Sequence, residues 1–355
     1  MSLAEVASPP RTLASARPRG VPRRWAVAAF VFLLGALAVG LGVGPVPIGG
    51  GPIAESALSH LPFLHVHSPL SGPEEAILWQ LRAPRVVLGA LVGGMLAVAG
   101  SAYQGVFRNP LADPYLLGVA AGAGLGATLA IGYAGGIREL VPLAAFLGAA
   151  ASVVCAYLLG RTVGGVRTAA TLILAGVTIA AFMTAAQTFV QQQRQESLRE
   201  VYSWLLGGLA TASWHDCLLA GPYVVASAGV LFLHRRLLDV LSVGDDEAAS
   251  LGLDVRRVRL IIIAAATVGT AAAVAVSGLI GFVGIIVPHT VRLLASTSYR
   301  AVVPLSVVAG AGFLVLTDVL ARTILSPSEL PIGVVTAFFG APFFAIVLRT
   351  TRVGR

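Results

Sequence analysis

Between Trp25 and Val43 the chain carries no charged residue at all, and apolar stretches of similar length return along almost all of its 355 residues. At 1.5 Å per residue, about 20 helical residues reach across the roughly 30 Å hydrocarbon layer of a bilayer. A water-soluble fold cannot hide so many such stretches. Hydrophobic residues make up 57 % of the chain and charged ones 11 %, where an ordinary globular protein has about 25 % charged. The sequence therefore predicts an all-α, polytopic membrane protein with about ten transmembrane helices. The predicted spans are 25–43, 83–103, 114–133, 139–160, 168–190, 217–234, 257–276, 278–295, 301–320 and 332–349.

The charges test that layout. Residues 1–24 form a basic tail holding Arg11, Arg17, Arg19, Arg23 and Arg24, placed on the cytoplasmic side, with residues 350–355 as a second cytoplasmic tail. The run after the basic tail is longer than the apolar core of a secretory signal. Ten spans put both termini inside, leaving Arg82, Arg85, Arg138, Arg194, Arg199 and Arg322 outside and the other arginines inside. A cytoplasmic excess of arginine is the expected bias for a protein of the cell (inner) membrane. It also accounts for the net charge of +8 without nucleic acid as a partner. Segment 278–295 is interrupted by Gly278, Gly281, Gly284 and Pro288, the pattern of a broken helix beside a transport path.

Every basic residue among the 24 is arginine. The chain thus has no lysine for a phosphate loop or for lysine-based catalysis, and any nucleotide hydrolysis must come from another subunit. Cys155 and Cys217 lie in apolar stretches without metal-ligand spacing, and His60, His65 and His67 make only a weak H-x-H grouping in an outer loop. No metal site and no catalytic residue is expected. The strings ending at Gly100 (A-V-A-G) and Gly278 (A-V-S-G) are each followed ten residues later by a proline, Pro110 and Pro288. That echo suggests an inverted repeat of 83–190 by 257–349.

Polar residues gather at span ends. Arg82 and Arg85 precede a helix leading to Gln104 and a turn of Arg108, Asn109 and Pro110, in which Asn109 is expected to cap the helix end. Residues 235–259 read as two short amphipathic helices divided at Gly244, with Asp245 opening the second and Gly252 closing it. Leu238, Leu241, Ala248 and Leu251 are its candidate apolar contacts for a partner. Pro288 and His289 lie near the inner surface. Asp318, Arg322 and Glu329 lie outside, ahead of the Pro331–Gly333 entry into the last span. Thr184, Gln187 and Thr188 mark a polar helix end that either lines a path or merely meets the membrane surface.

R-A-P-R at 82–85, Gln104 with R-N-P-L-A, the L-x-x-G-x-x-x-A-x-x-L-G loop at 241–252, G-F-V-G-x-x-x-P-H-x-x-R at 281–292, and E-L-P-I-G-V-V-T with G-A-P-F-F at 329–344 occur in this order. Together they resemble the permease subunit of ABC importers for iron chelates, haem and cobalamin, over residues 80–349 within a membrane domain of 25–349. The resemblance implies pairing with a second copy or close homologue, two ATPase subunits that bind ATP and Mg, an extracytoplasmic substrate-binding protein, and membrane lipid around it. It implies that Arg82, Arg85 and Arg322 face acidic residues of the binding protein. It places Gly244, Asp245, Ala248, Leu251 and Gly252 against the ATPase. The rival reading is a secondary transporter or channel working alone, which calls for ionisable residues in mid-span and no docking loop.

Overall fold

The computed structural model describes residues 20–60, 67–134, 137, 139–162 and 169–352. Arg11, Arg17, Arg19, Arg138, Arg167, Arg355 and His65, with most of the basic tail, lie outside them. Every element of regular structure among the described residues is helical. The helices are α1 (Arg23–Gly42), α2 (Gly50–Ser59), α3 (Gly72–Phe107, with a π-helical stretch at Ile77–Arg82), α4 (Val119–Tyr133), α5 (Leu140–Thr162), α6 (Ala169–Gln193) and α7 (Leu198–Leu205). They continue as α8 (Trp214–Leu233), α9 (Arg235–Leu241), α10 (Asp245–Ser250), α11 (Val255–Ser277), α12 (Val283–Leu294), α13 (Tyr299–Thr323) and α14 (Ile332–Arg352).

Seven of these helices are long and apolar enough to cross a membrane, and α4, α12 and α14 are shorter apolar helices. The ten predicted spans all contain a helix, but two differ from expectation in kind. The span placed at 114–133 divides into an irregular turn, 109–118, and the 15-residue α4. The span placed at 278–295 divides into a non-helical segment, 278–282, and the 12-residue α12. Their helical parts rise about 22 Å and 18 Å, too little to cross about 30 Å alone. Each irregular segment is bracketed by left-handed backbone: Arg108 (φ 51°) and Gly118 (φ 84°) for the first, Gly278 (φ 67°) and Phe282 (φ 67°) for the second. A helix cannot continue through such a residue.

Irregular backbone inside a bilayer must find its hydrogen bonds within the protein, and one side chain, Tyr115, ties the two segments together. The Tyr115 hydroxyl donates to the Ile280 carbonyl (3.0 Å) and accepts from the Ile280 N–H (3.1 Å). Gln104 Nε2 donates to the carbonyls of Ala112 (3.3 Å) and Gly284 (3.1 Å). The helices around them touch through glycine. A Cβ on Gly100 would overlap the backbone of Gly284, and one on Gly93 the backbone of Gly310. In lipid, where apolar side chains gain little by meeting each other, such backbone contact supplies the packing.

α3 is the axis of the molecule. It packs against α13, α11, α8 and α12 and is buried along most of its length, whereas α1 lies on the outside against α13. The two short sequence echoes occupy unlike places: A-V-A-G lies in the interior of α3, and A-V-S-G ends α11. The likeness between the two halves is carried by the paired broken crossings.

Candidate sites at the two ends of the central helix

Arg82 and Arg85 lie three to four turns into α3, where its π-helical stretch ends, and both side chains turn inward. Arg85 holds two carboxylates at once. Its Nε and Nη2 donate to Asp318 at 2.8–2.9 Å, and its Nη1 and Nη2 donate to Glu329 at 2.9 Å. Arg322, one turn after Asp318 on α13, lies 3.7 Å from that carboxylate and donates to Gly40 O at 2.6 Å. Arg82 donates to Leu41 O (2.9 Å), Gly42 O (3.1 Å) and Val46 O. The last carbonyls of a helix have no partner inside it and carry its negative dipole end. The end of α1 therefore balances a cluster that has three guanidinium groups against two carboxylates.

These are the three arginines expected to face a binding protein, and here their side chains are turned into the protein. Arg82, Arg85 and Arg322 are only 4 %, 9 % and 5 % exposed. The physical reason is local: the loop after α1 closes over Arg82, while Asp318 and Glu329 occupy the faces of Arg85. Glu329 is the one member of the cluster with substantial access to solvent, its side chain 37 % exposed.

The other end of α3 is organised around a neutral amide, that of Gln104, about 33 Å from Arg82 by helical rise. Gln104 is buried. Besides its two donations it accepts from Arg292, whose Nη2 donates to the Tyr299 hydroxyl at 3.2 Å. The Tyr299 backbone N–H and the Ser298 hydroxyl donate to Asp239 on α9, at 2.6 and 2.8 Å. The Asp239 carboxylate thus caps the start of α13, where unpaired N–H groups favour an anion. A continuous chain of polar contacts runs from the loop helix α9 to both broken crossings.

Around that end Arg108 is exposed, with its Nη2 3.9 Å from Asp245. Asn109 does not cap α3 through its amide as expected. Its side-chain oxygen accepts from Leu111 N (2.9 Å), closing the turn that begins with Pro110. Pro288 is buried within α12, and the half-buried His289 ring stands edge-on to Phe343 of α14 at 5.8 Å. At the opposite end Pro331 opens α14, and the N–H of Gly333 reaches Leu206 O at 3.1 Å. A Cβ on Gly333 would overlap that carbonyl.

The loop between α8 and α11 has the two expected helices, divided at Gly244 (φ 152°) and closed at Gly252 (φ 83°). Gly244 itself precedes the second helix; Asp245 is its first residue, and its carboxylate takes a two-fold donation from Arg259 at 2.8 Å. The expectation of four apolar contacts for a partner is corrected in three. Leu238, Leu241 and Ala248 are fully buried and hold the loop to its own bundle, whereas Leu251 is 72 % exposed. Val243 joins it at 64 %. The outward surface of the loop is therefore Val243, Leu251 and Gly252 among charged residues.

Thr184 and Thr188 are exposed on one side of α6 and Phe182 and Phe189 on another, whereas Gln187 turns inward against Gly124 of α4. A separate cavity of about 620 Å³ opens between α7, the 278–282 segment and α14, lined by Leu206, Leu279, Phe282, Val334 and Phe338. Among the described residues no group of three His, Cys, Asp or Glu could hold a metal ion. His60 Nδ1 donates to Ser56 O (2.9 Å), and its ring is tilted against that of Trp79.

Asp239, Tyr115 and Tyr299 were missed from the sequence. Tyr115 carries a signal, a hydroxyl inside a turn between two membrane helices, but its partner is 165 residues away.

Helices that break inside an apolar bundle, a polar chain leading to them, and a structured loop with an apolar tip describe a multi-pass membrane permease. The chain belongs to the FecCD transport family, which matches residues 30–350. It is 38 % identical to the cobalamin import system permease protein BtuC of Halobacterium salinarum, over 93 % of this chain and 96 % of that one. It is 39 % identical to the hemin transport system permease protein HmuU of Yersinia pestis, over 77 % and 83 %. The fold matches a solved structure described as an inward-facing conformation of an ABC transporter of the metal-chelate type. The TM-score is 0.81 at 27 % identity, over 93 % of this chain and all of the other. The protein is the permease subunit of an ABC importer.

Proposed function

We propose that the chain carries a metal chelate of the siderophore, haem or cobalamin class across the cell membrane by alternating access driven by a separate ATPase. The observation that carries this reading is the polar chain Asp239–Tyr299–Arg292–Gln104, which ends on both broken crossings. The permease needs no chemistry of its own, only different contacts with different partner states. Two ATPase subunits bind ATP and Mg beneath a pair of permeases, and the Val243–Leu251 tip of each loop sits against one of them. The Arg108 end of α3 is then cytoplasmic, and so are both termini. A second copy covers the exposed face of α6, so that Thr184 and Thr188 border the path between the two. An extracytoplasmic binding protein delivers the chelate at the Arg82 end. An acidic group of that protein reaches Arg85 by displacing Glu329, its more exposed carboxylate.

Reconstitution in liposomes tests the reading. Uptake of a ferric siderophore, haem or cobalamin is expected only when ATPase, ATP and binding protein are all present. Full uptake by the permease alone overturns the proposal in favour of a secondary transporter or channel.

A further inference from the structure

An apolar groove of about 330 Å³ runs along the outside of the bundle at the start of α1, unrelated to the polar chain or the path. One wall is a single face of α1: Trp25, Ala28, Ala29 and Phe32, spaced to line one stripe. The other wall comes from α12 and α13, with Thr290, Leu294, Ala309 and Phe313. The small alanines create the slot. In a bilayer an acyl chain fills such a slot as a matter of course; the residues at its mouth make this one selective.

The indole Nε1 of Trp25 is buried and has no hydrogen-bond partner, although a buried indole N–H ordinarily finds one. Arg24 stands 5.8 Å from the Trp25 ring. Arg23 and Arg24 are exposed, and neither has an acidic partner among the described residues. An unmatched N–H donor and the Arg24 cation thus stand beside the head of a slot shaped for an alkyl chain. We propose that this groove is a binding site for an anionic phospholipid, its acyl chain between α1, α12 and α13 and its phosphate held by Arg24 beside the Trp25 indole, with Arg23 adding to the positive field at that membrane surface. Two arginines near a membrane surface attract an anionic headgroup, each by roughly fivefold in affinity.

The test uses the full-length chain, with phosphatidylglycerol and phosphatidylcholine of identical acyl chains as probes in native mass spectrometry. The wild type is expected to retain phosphatidylglycerol at least about fivefold better. Replacing Arg23 and Arg24 together by alanine should abolish that preference, and replacing both by lysine should keep it. Ala29→Trp, which fills the slot, should lower retention of both lipids. Equal retention of the two lipids by the wild type overturns the proposal, as does a preference that survives the double alanine variant. Lipid binding that appears only after residues 1–19 are removed also overturns it, since the groove then belongs to that segment.

Discussion

The two ends of α3 solve the same problem with opposite chemistry. At Arg82 and Arg85, full charges are buried and matched by carboxylates and by the carbonyl end of α1. At Gln104, a neutral amide shares its bonds among three partners, and only Arg292, Tyr299 and Asp239 extend the contacts outward. A buried ion cluster resists rearrangement because every separated charge faces a desolvation cost of several kcal/mol. Hydrogen bonds between neutral groups exchange for about 1 kcal/mol each, and the one to the charged Arg292 for about 1.5–3 kcal/mol. The first end is built to hold three helices together, the second to pass a displacement along.

The strongest way to break that contrast is at Asp318. Asp318→Asn leaves Arg85 with Glu329 alone and Arg322 with a backbone carbonyl, an uncompensated buried charge worth about 3–5 kcal/mol. Unfolding in mixed micelles should show that loss, and a cost under about 1 kcal/mol would mean the cluster is hydrated. Between the two ends, Gly100→Ala forces a methyl group against the backbone of Gly284. Overpacking of this kind costs about 1–3 kcal/mol, again read from unfolding.

At the far end Gln104→Leu leaves two carbonyls and Arg292 without their amide. Water or rearrangement can satisfy part of this, so about 1–2 kcal/mol is expected, less than at Asp318. Reversal of that order would invert the contrast. The smallest effect on stability belongs to Leu251→Asp, an exposed site where substitutions stay within about 0.5 kcal/mol. The same change should abolish co-purification with the ATPase, because it places a charge at the apolar tip of the loop. Unchanged assembly would move the contact elsewhere on the cytoplasmic face.

Long helices such as α1, α5 and α11 were legible because unbroken apolar runs and flanking arginines record the bilayer directly. The broken crossings were half legible. Gly278 and Pro110 announce irregularity, but the left-handed turns at Arg108 and Phe282 belong to residues with no preference for that backbone, and only the packed structure imposes it. The loop helices α9 and α10 were legible from Gly244 and Gly252, whereas their orientation was not. Ala248 and Leu251 are both apolar, and tertiary contacts alone decide which is buried. The burial of the arginine cluster was not legible for the same reason. The R-x-x-R spacing places Arg82 and Arg85 at one helix end, yet their burial depends on Asp318 and on the carbonyls of α1, both remote in sequence.

The contrast has one direct functional consequence: disturbing the Gln104 end should separate ATP hydrolysis from transport while leaving the assembly intact. The measurement is substrate taken up per ATP hydrolysed by Gln104→Leu, reconstituted with its ATPase and binding protein. We expect hydrolysis to persist and the ratio to fall about tenfold or more, equivalent to about 1.4 kcal/mol of lost coupling. An unchanged ratio in a correctly assembled transporter would contradict the account, leaving Gln104 as a packing residue and the motion to travel by another route.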